Sequence, residues 1–233
     1  MQTEILETAD LVAQRAAAFI AEEARHAVAL RGFFVMAVSG GSTPWIMLRK
    51  LANLDVPWSG IHIVQVDERI APTGDPDRNL THLRESLLDH VPLPAAQIQA
   101  MPVEQADLRV AAQEYAGTLR RLSGSPPVLD LVHLGLGSDG HTASLVPGDP
   151  VLAVDDQDVA ITEDYKSRRR MTLTFPIINR SRRILWVITG SDKKEMLGRL
   201  LEGDRSIPSG NVSQKQSIVL ADRQASGHLL AVS

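Results

Sequence analysis

The chain has 233 residues, 44% of them hydrophobic, a formal net charge of −4 and no cysteine, so it can bury a sizeable core but excludes disulfides, thiolate nucleophiles and cysteine-held metal sites. Mild acidity argues against a nucleic-acid binder, which needs a cationic footprint for the phosphate backbone. The N-terminus Met1-Gln2-Thr3-Glu4 lacks the basic and apolar regions of a secretory signal, and no run nears the roughly 18 apolar residues of a membrane span, so a cytoplasmic protein without membrane attachment is expected.

In chain order, apolar residues at helical spacing (Leu6, Ala9, Ala13, Ala16, Ile20) predict one long helix from about Thr3 to Leu30, ended by Gly32. Phe33 to Val38 is a continuous apolar run and reads as a buried strand. It flows into Ser39-Gly40-Gly41-Ser42-Thr43-Pro44, where Thr43 is expected to cap a helix that opens on Pro44. Ile61 to Val66 is the next strand, followed by Asp67-Glu68-Arg69 and a Pro, Gly and Asp-rich loop. Helices are predicted from about Asn79 to Asp89 and from Asp107 to Leu122. Strands follow at Val128 to Leu134, Val159 to Thr162, Met171 to Phe175 and Ile184 to Thr189. A helix from about Asp192 to Leu201 and a last strand, Ser217 to Leu220, complete the order. Alternating strands and helices predict a single α/β domain over residues 1–233, with a largely parallel sheet covered on both faces.

The segment Gly135-Leu136-Gly137-Ser138-Asp139-Gly140-His141-Thr142-Ala143-Ser144-Leu145 leaves the carboxyl end of a predicted strand, where open α/β sheets bind ligands. It satisfies the Gly-x-Gly-x-x-Gly pattern of dinucleotide sites. A true fingerprint opens a full crossover helix, however, and Pro147, Gly148 and Pro150 break any helix within two turns. An active-site loop presenting His141 and Asp139 is the better reading, with no nucleotide cofactor. Of the seven histidines, only His141 sits among glycines at a strand end. His62 and His133 fall inside strands and read as core or edge residues, while His26, His82, His90 and His228 read as surface.

Carboxyl-end loops of a parallel sheet gather on one edge, so residues 39–43, 67–79 and 135–144 are expected to meet. The first offers helix-start amides and the Ser39, Ser42 and Thr43 hydroxyls as a phosphate nest. In the second, Arg69 suits phosphate, and Asp67 or Glu68 suits sugar hydroxyls or a proton. A cationic cluster, Lys166, Arg168, Arg169 and Arg170, precedes a strand and reads as either a solvated loop or an anion site.

Taken together, Ser39 to Pro44, Asp67-Glu68-Arg69 with Asn79, Gly135 to Leu145, and Arg170-Met171-Thr172-Leu173-Thr174 with Phe175-Pro176 and Asn179 resemble the 6-phosphogluconolactonase family. The resemblance covers most of the chain. It implies a Rossmann-like sheet shared with glucosamine-6-phosphate deaminases and a phosphorylated sugar lactone as ligand. It also implies substrate contacts at Ser39, Gly40, Gly41, Ser42, Thr43, Asp67, Glu68, Arg69, Asn79, Gly137, Gly140, Lys166 and Arg170. Deaminases of this fold carry a glutamate shortly after the histidine, where this chain has Val146. The segment before Arg170 departs from the family pattern, and either Lys166 or Arg168 stands for the family's lysine there.

The chemistry implied is hydrolysis with His141 as general base on water and Asp139 as its catalytic partner. Amides from Gly137 to Gly140 are expected to hold the oxyanion, with no metal. Deaminase-type chemistry and a non-catalytic sugar-phosphate sensor are the alternatives, and a monomer or weak homodimer is expected.

Overall fold

Residues 1–227 are described in a computed structural model of the chain; His228 lies outside them. The strands are β1 (Gln2–Leu6), β2 (Phe34–Val38), β3 (Ile61–Gln65), β4 (Asp67–Arg69), β5 (Ile98–Gln99), β6 (Leu131–Leu134), β7 (Val159–Ile161), β8 (Arg170–Leu173), β9 (Arg183–Ile188) and β10 (Ser217–Asp222). The helices are α1 (Ala9–Arg31), α2 (Ser42–Leu51), α3 (Asn79–Ser86), α4 (Leu108–Ser123), α5 (Phe175–Arg180), α6 (Lys194–Glu202) and α7 (Arg223–Ser226). None of these helices is long and apolar enough to cross a membrane.

Seven strands form one sheet in the order β1-β10-β9-β6-β2-β3-β5, parallel throughout. Its strands are apolar on both faces because both are covered. Along β2, Phe34, Met36 and Val38 pack with Ile20 of α1, Met47 of α2 and Leu83 of α3. The alternating Val35 and Ala37 join Tyr115 and Leu119 of α4, Ile177 of α5 and Leu197 of α6 on the other face. These elements build the α/β fold that the alternation predicts, of the Rossmann-like type that the family resemblance implies.

The N-terminal segment departs from the predicted single helix. Thr8, at ψ 159°, accepts the Leu11 N–H on its side chain and starts α1 there. Residues before that cap are left extended, and β1 pairs in register with β10, Gln2 against Ile218 through Leu6 against Asp222. A second departure is a small antiparallel sheet, β4-β8-β7. Val66 joins it to the main sheet: its N–H donates to Val38 O at 3.0 Å and its carbonyl accepts from Leu173 N at 2.8 Å.

Candidate active site

Chain direction across the sheet reverses between β2 and β6, the place where the carboxyl ends of such sheets leave a crevice. A cleft of about 230 Å³ opens there, walled by the loops after β2 and β6, by β4 and β8, and by Lys193 after β9. Ser39, Gly40, Gly41, Asp67, Arg69, Asn79, Gly137, His141 and Arg170 all line it, as expected from the sequence.

The first loop is held from beneath. Ser39 N–H donates to Nδ1 of the fully buried His133 at 3.2 Å. Gly40 must lack a side chain, since a Cβ would lie 2.1 Å from Asn79 Oδ1. The helix cap is Gly41, at φ 137°, rather than the predicted Thr43. Thr43 lies one residue inside α2, buried, with its hydroxyl 2.6 Å from that of Thr189, and it is not among the residues that line the cleft. Ser42 is exposed beside the cleft, and the first amides of α2 have no carbonyl four residues back within the helix.

The second loop separates its acids. Asp67 faces the cleft, with Oδ2 accepting from Ser144 Oγ at 2.7 Å and Oδ1 from Ser39 Oγ at 3.4 Å. Glu68 does not contact the site, contrary to expectation, because it is completely buried and saturated. It accepts from the backbone N–H groups of Arg69, Asn79 and Leu80 and from Gln65 Nε2, at 2.8 to 2.9 Å, and lies 3.1 Å from Arg78 Nε. Its role is to fix the loop that aims Arg69 and Asn79, whose side chains are themselves hydrogen-bonded.

The third loop presents His141 to the cleft. Gly137 N–H donates to His141 O at 2.8 Å and Gly140 N–H to Gly137 O at 3.0 Å, closing a tight turn. Those two amides are therefore committed, so of the stretch expected to hold the oxyanion the amides of Ser138 and Asp139 remain. Gly140, at φ 83°, faces Ile207 rather than the cleft, so its place is in the turn and not among ligand contacts. Within the turn His141 Nδ1 is 2.5 Å from Asp139 Oδ1, and Asp139 Oδ2 accepts from the Tyr165 hydroxyl at 3.0 Å. Burial alone would raise the Asp139 carboxyl, but the His141 charge and hydrogen bonds from His141 and Tyr165 outweigh it and hold it below its ordinary value. An ionised Asp139 can only accept, so Nδ1 carries the proton and the Nε2 lone pair is left for the cleft. Asp139 stands behind His141, outside the cleft lining.

Arg69 and Arg170 are direct register partners across β4 and β8, and both line the cleft and an adjoining hollow of about 360 Å³. Lys166 and Arg168 line the hollow rather than the cleft. Arg168 is paired with Asp75 at 3.2 Å and Asp77 at 2.9 Å, whereas Lys166 holds its ammonium 5.2 Å from the Tyr165 ring centre. Of the two candidates, Arg168 is held by carboxylates and Lys166 is not salt-bridged among the described residues. Lys193 and Tyr165 escaped the sequence reading. Lys193 follows Gly190 at the end of β9, another carboxyl-end loop on the same edge, which is the signal that could have found it.

Residues 7–220 match the family described as glucosamine-6-phosphate isomerases/6-phosphogluconolactonase. The chain belongs to this family. A 6-phosphogluconolactonase of Synechocystis sp. is 35% identical over 98% of both chains. The crystal structure of 6-phosphogluconolactonase from Thermotoga maritima is 26% identical, with a TM-score of 0.85 over 95% of this chain and 98% of that one. A monomeric glucosamine-6-phosphate deaminase shares the fold as well, with a TM-score of 0.84 at 21% identity over 97% of this chain and 98% of that one. Fold alone therefore does not choose between the two chemistries of the glucosamine-6-phosphate isomerase/6-phosphogluconolactonase family, and the site residues must.

Proposed function

We infer that the protein hydrolyses 6-phospho-D-glucono-1,5-lactone to 6-phospho-D-gluconate in the oxidative pentose phosphate pathway, acting in the cytoplasm as one lactonase domain over residues 1–233, monomeric or weakly dimeric. The observation that carries this reading is His141 on the cleft wall with Nδ1 tied at 2.5 Å to Asp139. A deaminase reading is disfavoured at the same loop. Its glutamate position is Val146, buried and unable to move a proton.

His141 Nε2 takes a proton from water as the water oxygen attacks the lactone carbonyl carbon. The imidazolium, stabilised by Asp139, then returns that proton to the ring oxygen as the ester C–O bond breaks. The exposed start of α2, Arg69 and Lys166 hold the phosphate. Arg170 and Lys193 add positive potential over the cleft, where charge develops on the carbonyl oxygen.

The test is acid release from fresh lactone, corrected for spontaneous opening. His141→Ala should lower kcat by about 100-fold or more, the share of a positioned general base. Parent turnover that persists undiminished in the variant would move the base elsewhere, and no parent turnover would reject the reaction.

A further inference from the structure

Tyr165 opens a two-residue turn, Lys166-Ser167, in the connection between β7 and β8 and faces Arg168 across its base. Its N–H donates to Arg168 O at 3.1 Å and its carbonyl accepts from Arg168 N at 3.3 Å. The central residues of this turn, Lys166 at φ 52° and Ser167 at φ 64°, both occupy the left-handed region that favours glycine or asparagine, so the turn is held in a costly conformation. Outward, Arg168 fastens it to Asp75 and Asp77. Inward, the Tyr165 hydroxyl donates to Asp139 Oδ2 at 3.0 Å. The ring stands edge-on to His141 with centroids 5.6 Å apart, and the Arg170 guanidinium lies 4.9 Å from its centre.

We propose that Tyr165 is a positioning residue for lactone hydrolysis: its hydroxyl fixes the plane of the Asp139 carboxylate so that the other oxygen holds His141 Nδ1 and Nε2 faces the attacking water. Asp139 otherwise has one oxygen on His141 and one turned to solvent, and its side chain is 37% exposed, so a carboxylate held on one side only would rotate. The phenol donates to an ionised carboxylate, and unlike a solvent water it arrives already oriented by the ring's contacts with His141 and Arg170. The same ring carries Lys166 beside it.

The inference rests on the His141 reading, and a double-mutant cycle separates the two. Tyr165→Phe keeps the ring and removes only the hydroxyl; kcat should fall about tenfold with KM within twofold of the parent. Asp139→Asn should lower kcat further, and Tyr165→Phe added to it should cost nothing more, because the hydroxyl acts only through Asp139. Tyr165→Leu, which also strips the ring from Arg170, should raise KM in addition. Thermal unfolding midpoints for each variant guard against loss of fold. Additive losses in the double variant, or an effect on KM alone, would overturn the proposal and leave Tyr165 as a support for the Lys166 and Arg170 cations beside its ring. Full activity in His141→Ala would instead overturn the base itself.

Discussion

Gly137 sits where the dyad needs empty space. A Cβ there would lie 2.1 Å from His141 Nδ1 and 2.6 Å from Asp139 Oδ1, closer than any real contact. Gly137→Ala should therefore swing the imidazole off Asp139 and lower kcat by ~100-fold while the unfolding midpoint changes by a few degrees at most, read by steady-state kinetics beside calorimetry. The sequence exposes this residue as a glycine in a strand-end loop. It does not disclose that Gly137 spends its N–H on closing the turn, because that depends on the carbonyl of His141 folding back over it. His141 and Asp139 are readable for a related reason: their partnership is local, two residues apart. Tyr165 reaches Asp139 from 26 positions away, and no local pattern announces it.

At the scale of elements, β4 and the start of α3 form a unit around Glu68. Taking a carboxylate and a guanidinium out of water is costly unless every lone pair is met, and here Glu68 meets four N–H groups besides Arg78. Glu68→Gln would leave Arg78, itself almost wholly buried, with only the half-exposed Glu104 as a charged partner. The variant should lose about 3 kcal/mol of stability in urea titrations, and KM should rise as Arg69 and Asn79 lose their anchor. Read from the sequence, Asp67-Glu68-Arg69 offers three equivalent charges after a strand. Their sorting into a buried brace and two cleft residues follows from alternation along β4, a strand too short to recognise from periodicity and made a strand only by pairing with β8. Long apolar segments such as β2 and β6 needed no partner to be recognised, whereas β1 was hidden because Leu6 also fits the helical spacing of α1.

The whole molecule carries a pH dependence built into the floor of its site. Burial drives the His133 imidazole down to about 3, against about 6.5 for a free ring. Below the ordinary value the unfolded chain binds a proton that the folded protein refuses, so stability falls as pH drops from about 6.5 toward about 3, by about 1.4 kcal/mol per unit. Urea titrations at several pH values should show this slope. His133→Gln, whose amide oxygen can accept the same Ser39 N–H, should show a shallower one. Equal slopes would mean that other groups, such as the partly buried His62, set the acid limit.

The pairing of β1 with β10 couples segments more than two hundred positions apart. During synthesis the first strand emerges more than two hundred positions before its partner, Gln2 waiting on Ile218. Until then its backbone donors have only water, and the edge of the growing sheet is open. The closure of this sheet therefore waits for β10. The cleft is less exposed to that delay, because β2, β3 and β6 and the loops they carry lie within the first 145 residues and are made well before β1 and β10 meet.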